Sequence, residues 1–324
     1  MRFHTLRVTL ALVLAVLAVP LPASGQGQNP NQGIRIIEPY APGGLPDTVA
    51  RITAQHLQDR VGQSVVIENR AGGGAAAAVS ALMGAPSDGY TFIVTDGSLV
   101  STNSATFKQL TYNPKDMIPV ALLGSTPLFL AAHPDLPVST LREFVDYVRA
   151  RPGQINYGSS GVGSAHHLSM EAVKASLKLQ MTHIPYRGTG QSVPALLGGH
   201  VQVLFSAYPS LVGAVEGKKV KLLAHNGPGR SFQAPDVQPI ADMIPGFDLT
   251  NIVGMFGKPG IPQAVLDKIA TEAVAAVNTP EAKRQFAAAG IESTGGNGGV
   301  FEKALKREID NVAAVVKSAG IEPQ

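Results

Sequence analysis

The chain has 324 residues, 44% of them hydrophobic, which is enough apolar content for a large core and more length than a single small domain needs. It has no cysteine, so disulfides, thiolate metal sites and a lipid-bearing cysteine are excluded. The formal charge of +3 falls to +1 once Arg2 and Arg7 are set aside with the leader described next, and the basic residues are scattered, so no nucleic-acid partner is expected.

Residues Met1 to Arg7 carry basic charge, Val8 to Val19 form an unbroken apolar run, and Pro20 to Gly25 are small or turn-forming. That order predicts an export signal over residues 1–25 with cleavage near Gly25. The run falls short of the roughly 20 apolar residues of a membrane span. Beyond it, strand-like runs occur at Ile34–Ile37, Val65–Glu68, Thr91–Thr95, Leu128–Ala132, Ile155–Ser159, Met181–Ile184, Val201–Phe205 and Val220–Ala224. Helical spacing predicts helices over Asp47–Val61, Gly74–Gly84, Thr140–Arg149, Ala165–Leu177, Gly190–Leu197, Pro262–Val277, Pro280–Ala288 and Val300–Ala319. In the first of these Val49, Ile52, Leu57 and Val61 share a face, and Gly62 closes it. Alternation of strand and helix predicts an α/β fold with a parallel-rich sheet, whose ligands sit beyond the carboxyl ends of the strands.

Twice a short apolar strand runs into Pro-Tyr and a glycine-rich turn that opens a helix, at Ile36 to Gly44 and at Thr182 to Gly190. Such turns bring backbone N–H groups close to a ligand at the positive end of a helix, a site for a carboxylate or phosphate. Gly43 and Gly44 are expected to present free N–H groups to a cleft, and Asp47 to cap the helix that follows. Gly158 to His167 adds hydroxyls of Ser159, Ser160 and Ser164 to glycine donors, with Ser164 placed as a helix cap, and is the best second anion site. No Gly-x-Ser-x-Gly elbow, dinucleotide fingerprint or phosphate-loop pattern is present, and no histidine pair has the i,i+4 spacing of a zinc site, so neither metal nor cofactor is expected. His133, His183, His200 and His225 are assigned structural roles.

Taken in order, several motifs resemble the solute-binding proteins of tripartite tricarboxylate transporters, the Bug-type periplasmic receptors. They are Pro42-Gly43-Gly44 with Asp47 and Arg51; Val66 to Arg70 followed by Gly72-Gly73-Gly74; Pro86 to Thr91; Ser164-Ala165-His166-His167-Leu168; His183 to Gly188; and Leu197 to Val201. The resemblance covers essentially all of the chain after the leader. It implies a type II periplasmic binding fold, two α/β domains joined by two crossing strands with a ligand cleft between them. Domain I would comprise 26–127 plus 228–324 and domain II 128–227, the crossings lying near Leu128–Ala132 and Leu222–His225. It also implies a periplasmic location, a mono- or dicarboxylate ligand, aromatic or aliphatic, and membrane subunits of a tripartite tricarboxylate transporter as partners. Ser206 stands where this family commonly has Asp, and Asn251-Ile252-Val253 where it has an aromatic residue, which disfavours an amino-bearing ligand.

The candidate ligand residues are Tyr40, Gly43, Gly44 and Asp47 in one loop, Ser98, then Ser159, Gly163, Ser164 and His166 in the opposing one, with Ser206 and Tyr208 shaping the remainder. The chain is expected not to be an enzyme. Two alternatives are an exported hydrolase using Ser159 or Ser160 with His166, and a sensory module presenting bound ligand to a membrane kinase.

Overall fold

The computed structural model describes residues 32–40, 42–71, 75–186 and 188–322. The leader, its cleavage point, Gly72-Gly73-Gly74 and Arg187 lie outside them, and the described residues from Gly33 onward form one compact unit. Helices follow in chain order as α1 (Leu45–Val61), α2 (Ala76–Met83), α3 (Thr102–Thr106), α4 (Leu141–Arg149), α5 (Ala165–Leu177), α6 (Thr189–Leu197), α7 (Tyr208–Glu216), α8 (Gln263–Val277), α9 (Pro280–Ala288) and α10 (Gly298–Ala319). Local chemistry accounts for many of their ends. Gly62, at φ 66°, closes α1 by donating its N–H to Gln58 O. At α4, Thr140 accepts from Glu143 N–H while Glu143 reaches back to Ser139 N–H, the reciprocal pattern of a capping box displaced by one residue.

Two sheets contain the described strands. The first, in spatial order β11-β4-β10-β3-β1-β2, uses β1 (Ile34–Glu38), β2 (Val65–Asn69), β3 (Thr91–Asp96), β4 (Ile118–Thr126), β10 (Asn251–Gly257) and β11 (Glu292–Asn297). The second, in order β7-β6-β8-β5-β9, uses β5 (Leu128–Ala132), β6 (Asn156–Ser159), β7 (Thr182–Pro185), β8 (Val203–Ala207) and β9 (Lys221–His225). β1 pairs in parallel with β2 and β3, and β6 with β7 and β8; β4, β5, β9, β10 and β11 pair antiparallel. The parallel character read from the alternating pattern therefore belongs to one part of each sheet, and the antiparallel strands β4, β10 and β11 escape that pattern. So do α3 and α7.

Alternation along the strands puts a helical layer on each face. Ile36, Phe92, Val94 and Leu123 pack with Val49, Leu57, Ile269 and Phe286 of α1, α8 and α9, while Ile37, Ile93 and Phe256 pack with Leu82 of α2 and Phe301 and Leu305 of α10. In the second sheet Leu130, Tyr157, Val203 and Phe205 face α4 and α5, and Phe129, Ala131 and Leu204 face α6 and α7. Further along α10, Val312 and Val315 belong to the α4–α5 side of this second core, so one helix is anchored in both.

The chain passes from β4 to β5 across Pro127 alone. Asn226, fully buried just after β9, clamps this crossing. Its Oδ1 accepts from Leu128 N–H at 2.7 Å, its N–H donates to Leu128 O at 2.9 Å, and its Nδ2 reaches Leu249 O at 2.7 Å and Ser169 Oγ at 3.0 Å.

Candidate functional site

The loop from β6 to α5 is bent by Gly161 at φ 134° and Gly163 at φ 74°, conformations that favour glycine. Ser164 caps α5, accepting from His167 N–H at 3.2 Å while its hydroxyl donates to Gly161 O at 2.7 Å. Gly163 N–H donates to His167 Nδ1 at 3.1 Å, so that nitrogen carries no proton and the ring is neutral. The first-turn N–H groups of Ala165 and His166 have no acceptor within the helix, and both residues line a cleft.

A stacked array underlies this loop. Ser159 Oγ lies 2.7 Å from His183 Nε2, and the His183 ring stacks on His167 and Tyr157 at centroid distances of 4.1 and 4.8 Å. The Tyr157 hydroxyl and the Lys174 ammonium converge on Glu171 Oε1, the latter at 2.6 Å. Burial pushes His183 and His166 down to about 4 and lowers His167 as well. The loop after β7 braces the array from the side, with Tyr186 N–H on Ser159 O and Gly188 N–H on Ser160 O.

The cleft has a volume of about 340 Å³, in the range of small-molecule sites. Ser160 to His166 form one wall, with Ser160 Oγ 2.6 Å from His166 Nδ1. The other wall is Tyr40, the Asp96-Gly97-Ser98 turn, Thr102, Asn103, Thr106 and Phe107, and Asn251, Ile252 and Glu308 complete it. Asp96 Oδ1 accepts from Ser98 N–H at 3.1 Å, from the Ser98 hydroxyl, and from the Tyr40 hydroxyl at 3.3 Å. Burial raises Asp96 above the usual carboxylate range and pushes Glu308 up to about 8. A larger cavity of about 470 Å³ lies by the crossing segments at His225, Arg230 and Arg307, away from both loops.

The loop after β1 is closed on itself. Asp47, 2% exposed, accepts from Gly43 N–H at 2.9 Å, from Arg51 Nε and Nη2 at 2.8 and 3.0 Å, and from Asn69 Nδ2 at 2.9 Å. These bonds hold its carboxyl below its ordinary value against the opposing effect of burial. Asn69 also reaches Glu38 Oε2 at 2.8 Å, where Tyr40 N–H donates too, and burial raises Glu38 to about 7. The expectation that Gly43 keeps its N–H free is therefore corrected: the Asp47 side chain holds it. Gly44 precedes α1 as its cap residue, without a side-chain bond.

Of the residues singled out in the sequence, the cleft brings together Tyr40, Ser98, Gly163, Ser164 and His166. Ser159 lies one residue below the rim. Gly43, Gly44 and Asp47 do not line the cleft; nor do Ser206, whose hydroxyl is buried without a partner on β8, and Tyr208, which packs on Phe129. Asp96, Thr102, Thr106 and Glu308 are not among the residues singled out, and Asn251 and Ile252, noted only as a departure from the family, also line the cleft. For Glu308 the sequence did hold a signal, since it interrupts the apolar stripe of Phe301, Leu305, Val312 and Val315 at helical spacing.

Residues 49–321 match the model of the tripartite tricarboxylate transporter family receptor. The protein BugT of Bordetella pertussis is 28% identical over 317 residues, covering 91% of this chain and 97% of BugT. An R. palustris protein solved with adipate is 28% identical with a TM-score of 0.81, covering 91% of this chain and 99% of that one. MatC from Rhodopseudomonas palustris, solved with malate, is 28% identical with a TM-score of 0.75, covering 89% and 100%. Among the described residues no helix is long and apolar enough to cross a membrane, and no cluster of metal-ligating side chains occurs.

Proposed function

The chain belongs to the tripartite tricarboxylate transporter family of receptors, and on that footing we propose that it is an exported, periplasmic receptor that captures a small organic carboxylate and delivers it to the membrane subunits of such a transporter. The observation that carries the reading is the first turn of α5, where two N–H groups without helical acceptors and the hydroxyls of Ser160 and Ser98 border one cleft. Each charge-assisted hydrogen bond contributes about 1.5 to 3 kcal/mol, so three or four of them, less the cost of ordering, reach the ~8 kcal/mol of micromolar binding without an arginine clamp. Relatives solved with adipate and malate support a carboxylate in this role.

The ligand contacts fall to Tyr40, Ser98, Gly163, Ser164 and His166, with Ser159 beneath them, while Gly43, Gly44 and Asp47 shape the adjoining loop. The described residues of 26–127 and 228–324 form one lobe and those of 128–227 the other, a division supported by Pro127 and the Asn226 clamp standing where the chain passes between sheets. A ligand that touches both walls binds the shut form better than the open one, and that difference selects closure. The cargo is transported unchanged. Ser160 and His166 are close enough for a nucleophile and base, but burial holds His166 at about 4, too low for an effective base at neutral pH, and no carboxylate hydrogen-bonds its ring among the described residues. Titration calorimetry with aliphatic dicarboxylates, hydroxy acids, aromatic acids and amino acids tests the proposal. Micromolar binding of at least one anion is expected; binding of cations alone, or of none, overturns it.

A further inference from the structure

The wall opposite α5 holds two acids where a receptor for anions would be expected to avoid them. Glu308 sits midway along α10, between the half packed in the first core and the half packed in the second, and it borders the cleft. Its Oε1 lies 2.6 Å from Ser101 Oγ, and the same Ser101 oxygen lies 2.9 Å from Gly97 O. A hydroxyl has one hydrogen and here faces two acceptors. The arrangement becomes complete when the acid supplies a proton: Glu308 donates to Ser101, and Ser101 donates to Gly97 O. The second oxygen, Oε2, is buried and accepts from no group among the described residues, which is costly for a carboxylate anion and less so for the carbonyl of a neutral acid.

The surroundings agree. Asp96 faces Glu308 from the end of β3 and already takes three donors, Asp248 approaches from the segment before β10, and Tyr40 and His166 complete the titratable groups of the cleft. Arg307, the neighbouring cation on α10, is engaged with Asp248 at 3.4 Å. His166 is neutral at pH 7 and brings no positive charge.

We propose that Glu308 determines which ligands this cleft accepts: it stands there as a neutral carboxylic acid, and an organic anion is captured together with the proton on Glu308. Ionising Glu308 places a second negative charge beside Asp96 and expels the anion. This inference rests on the carboxylate-receptor reading above. Because burial holds the proton up to about pH 8, affinity is full below that value and falls above it, approaching tenfold per pH unit until the higher value that Glu308 takes in the complex.

The test is calorimetric titration of adipate, malate, benzoate and lactate from pH 6 to 10, a range in which all four stay ionised, on the wild-type protein and on Glu308→Gln and Asp96→Asn. Wild-type affinity is expected to fall at least tenfold between pH 7 and 9.5. Glu308→Gln, checked for folding by its thermal transition, is expected to flatten that profile, and Asp96→Asn, which removes a charge opposing the ionisation of Glu308, to shift its midpoint to lower pH and to tighten anion binding. Should a probe bind with affinity independent of pH, or should Glu308→Gln keep the wild-type decline, the inference fails while the receptor reading stands. Should none of the four bind at any pH, the reading falls as well, and the inference with it.

Discussion

The loops after β6 and after β1 are built from the same parts, a strand, two glycines, an oxygen-bearing side chain and a helix start, yet they use their hydrogen-bond donors in opposite ways. After β6 the cap is a neutral hydroxyl that takes one N–H and leaves those of Ala165 and His166 for the cleft. After β1 the corresponding oxygen is a buried carboxylate, and it draws Gly43, Arg51 and Asn69 onto itself. A glycine-rich helix start is thus an anion site only when nothing within the chain already supplies the anion.

The largest effect expected from breaking this contrast comes from Ser164→Asp. Asp caps a helix as well as Ser does, so the thermal transition should hardly move, but carboxylate binding should weaken by about 100-fold or more, roughly 3 kcal/mol by repulsion at the site. Calorimetry and a thermal melt on the same sample check both halves. Asp47→Ala should do the reverse. It leaves three donors without their acceptor and costs about 2 kcal/mol of stability, seen in denaturant unfolding, while affinity changes less than about threefold.

The contrast extends to pH. Beneath the β6 loop, burial holds the rings of His183 and His166 at about 4, below the unfolded value of about 6.5, so the unfolded chain takes up protons first and stability falls as pH drops through that window. Beneath the β1 loop, burial holds Glu38 at about 7, above the ordinary carboxylate range; the unfolded chain loses that proton first, and stability falls as pH rises toward 7. Melts across pH 4 to 8 should show His183→Asn flattening the acid limb and Glu38→Gln the upper one. The smallest effect is Gly188→Ala. Gly188 lies at φ 102° in open space, so a methyl adds about 1 kcal/mol of backbone strain in a loop that braces Ser160, without a clash.

Much of the fold was legible because its signals are local. The limits of α5 and α9 coincide with the expected ranges, since Ser164 and Thr279 cap them and periodicity carries them through. β10 and β11 were missed because Gly254 and Gly295-Gly296 look like turns. A Cβ on Gly254 would lie 2.3 Å from Phe301 Cζ, so that glycine reflects a helix packed against a strand, a long-range demand invisible to local pattern. The site divides in the same manner. Ser164, Gly163 and His166 sit in one contiguous motif that the sequence singles out; Asp96, Thr106, Asn251 and Glu308 come from four separate elements, and only the folded chain brings them to the same cleft.

The final helix carries one more consequence. Phe301 and Leu305 are rooted in one core and Val312 and Val315 in the other, along a single rod of 22 residues, about 33 Å at 1.5 Å per residue. In the closure proposed above, such a rod would be a tether that limits how far the two lobes swing, because a wide gape would have to unseat one of its two anchorages or bend it near Glu308. Labels at Ser318 and on α8 would read that travel as a change in spacing on cargo uptake, which makes the tail of the chain a gauge of the jaw angle.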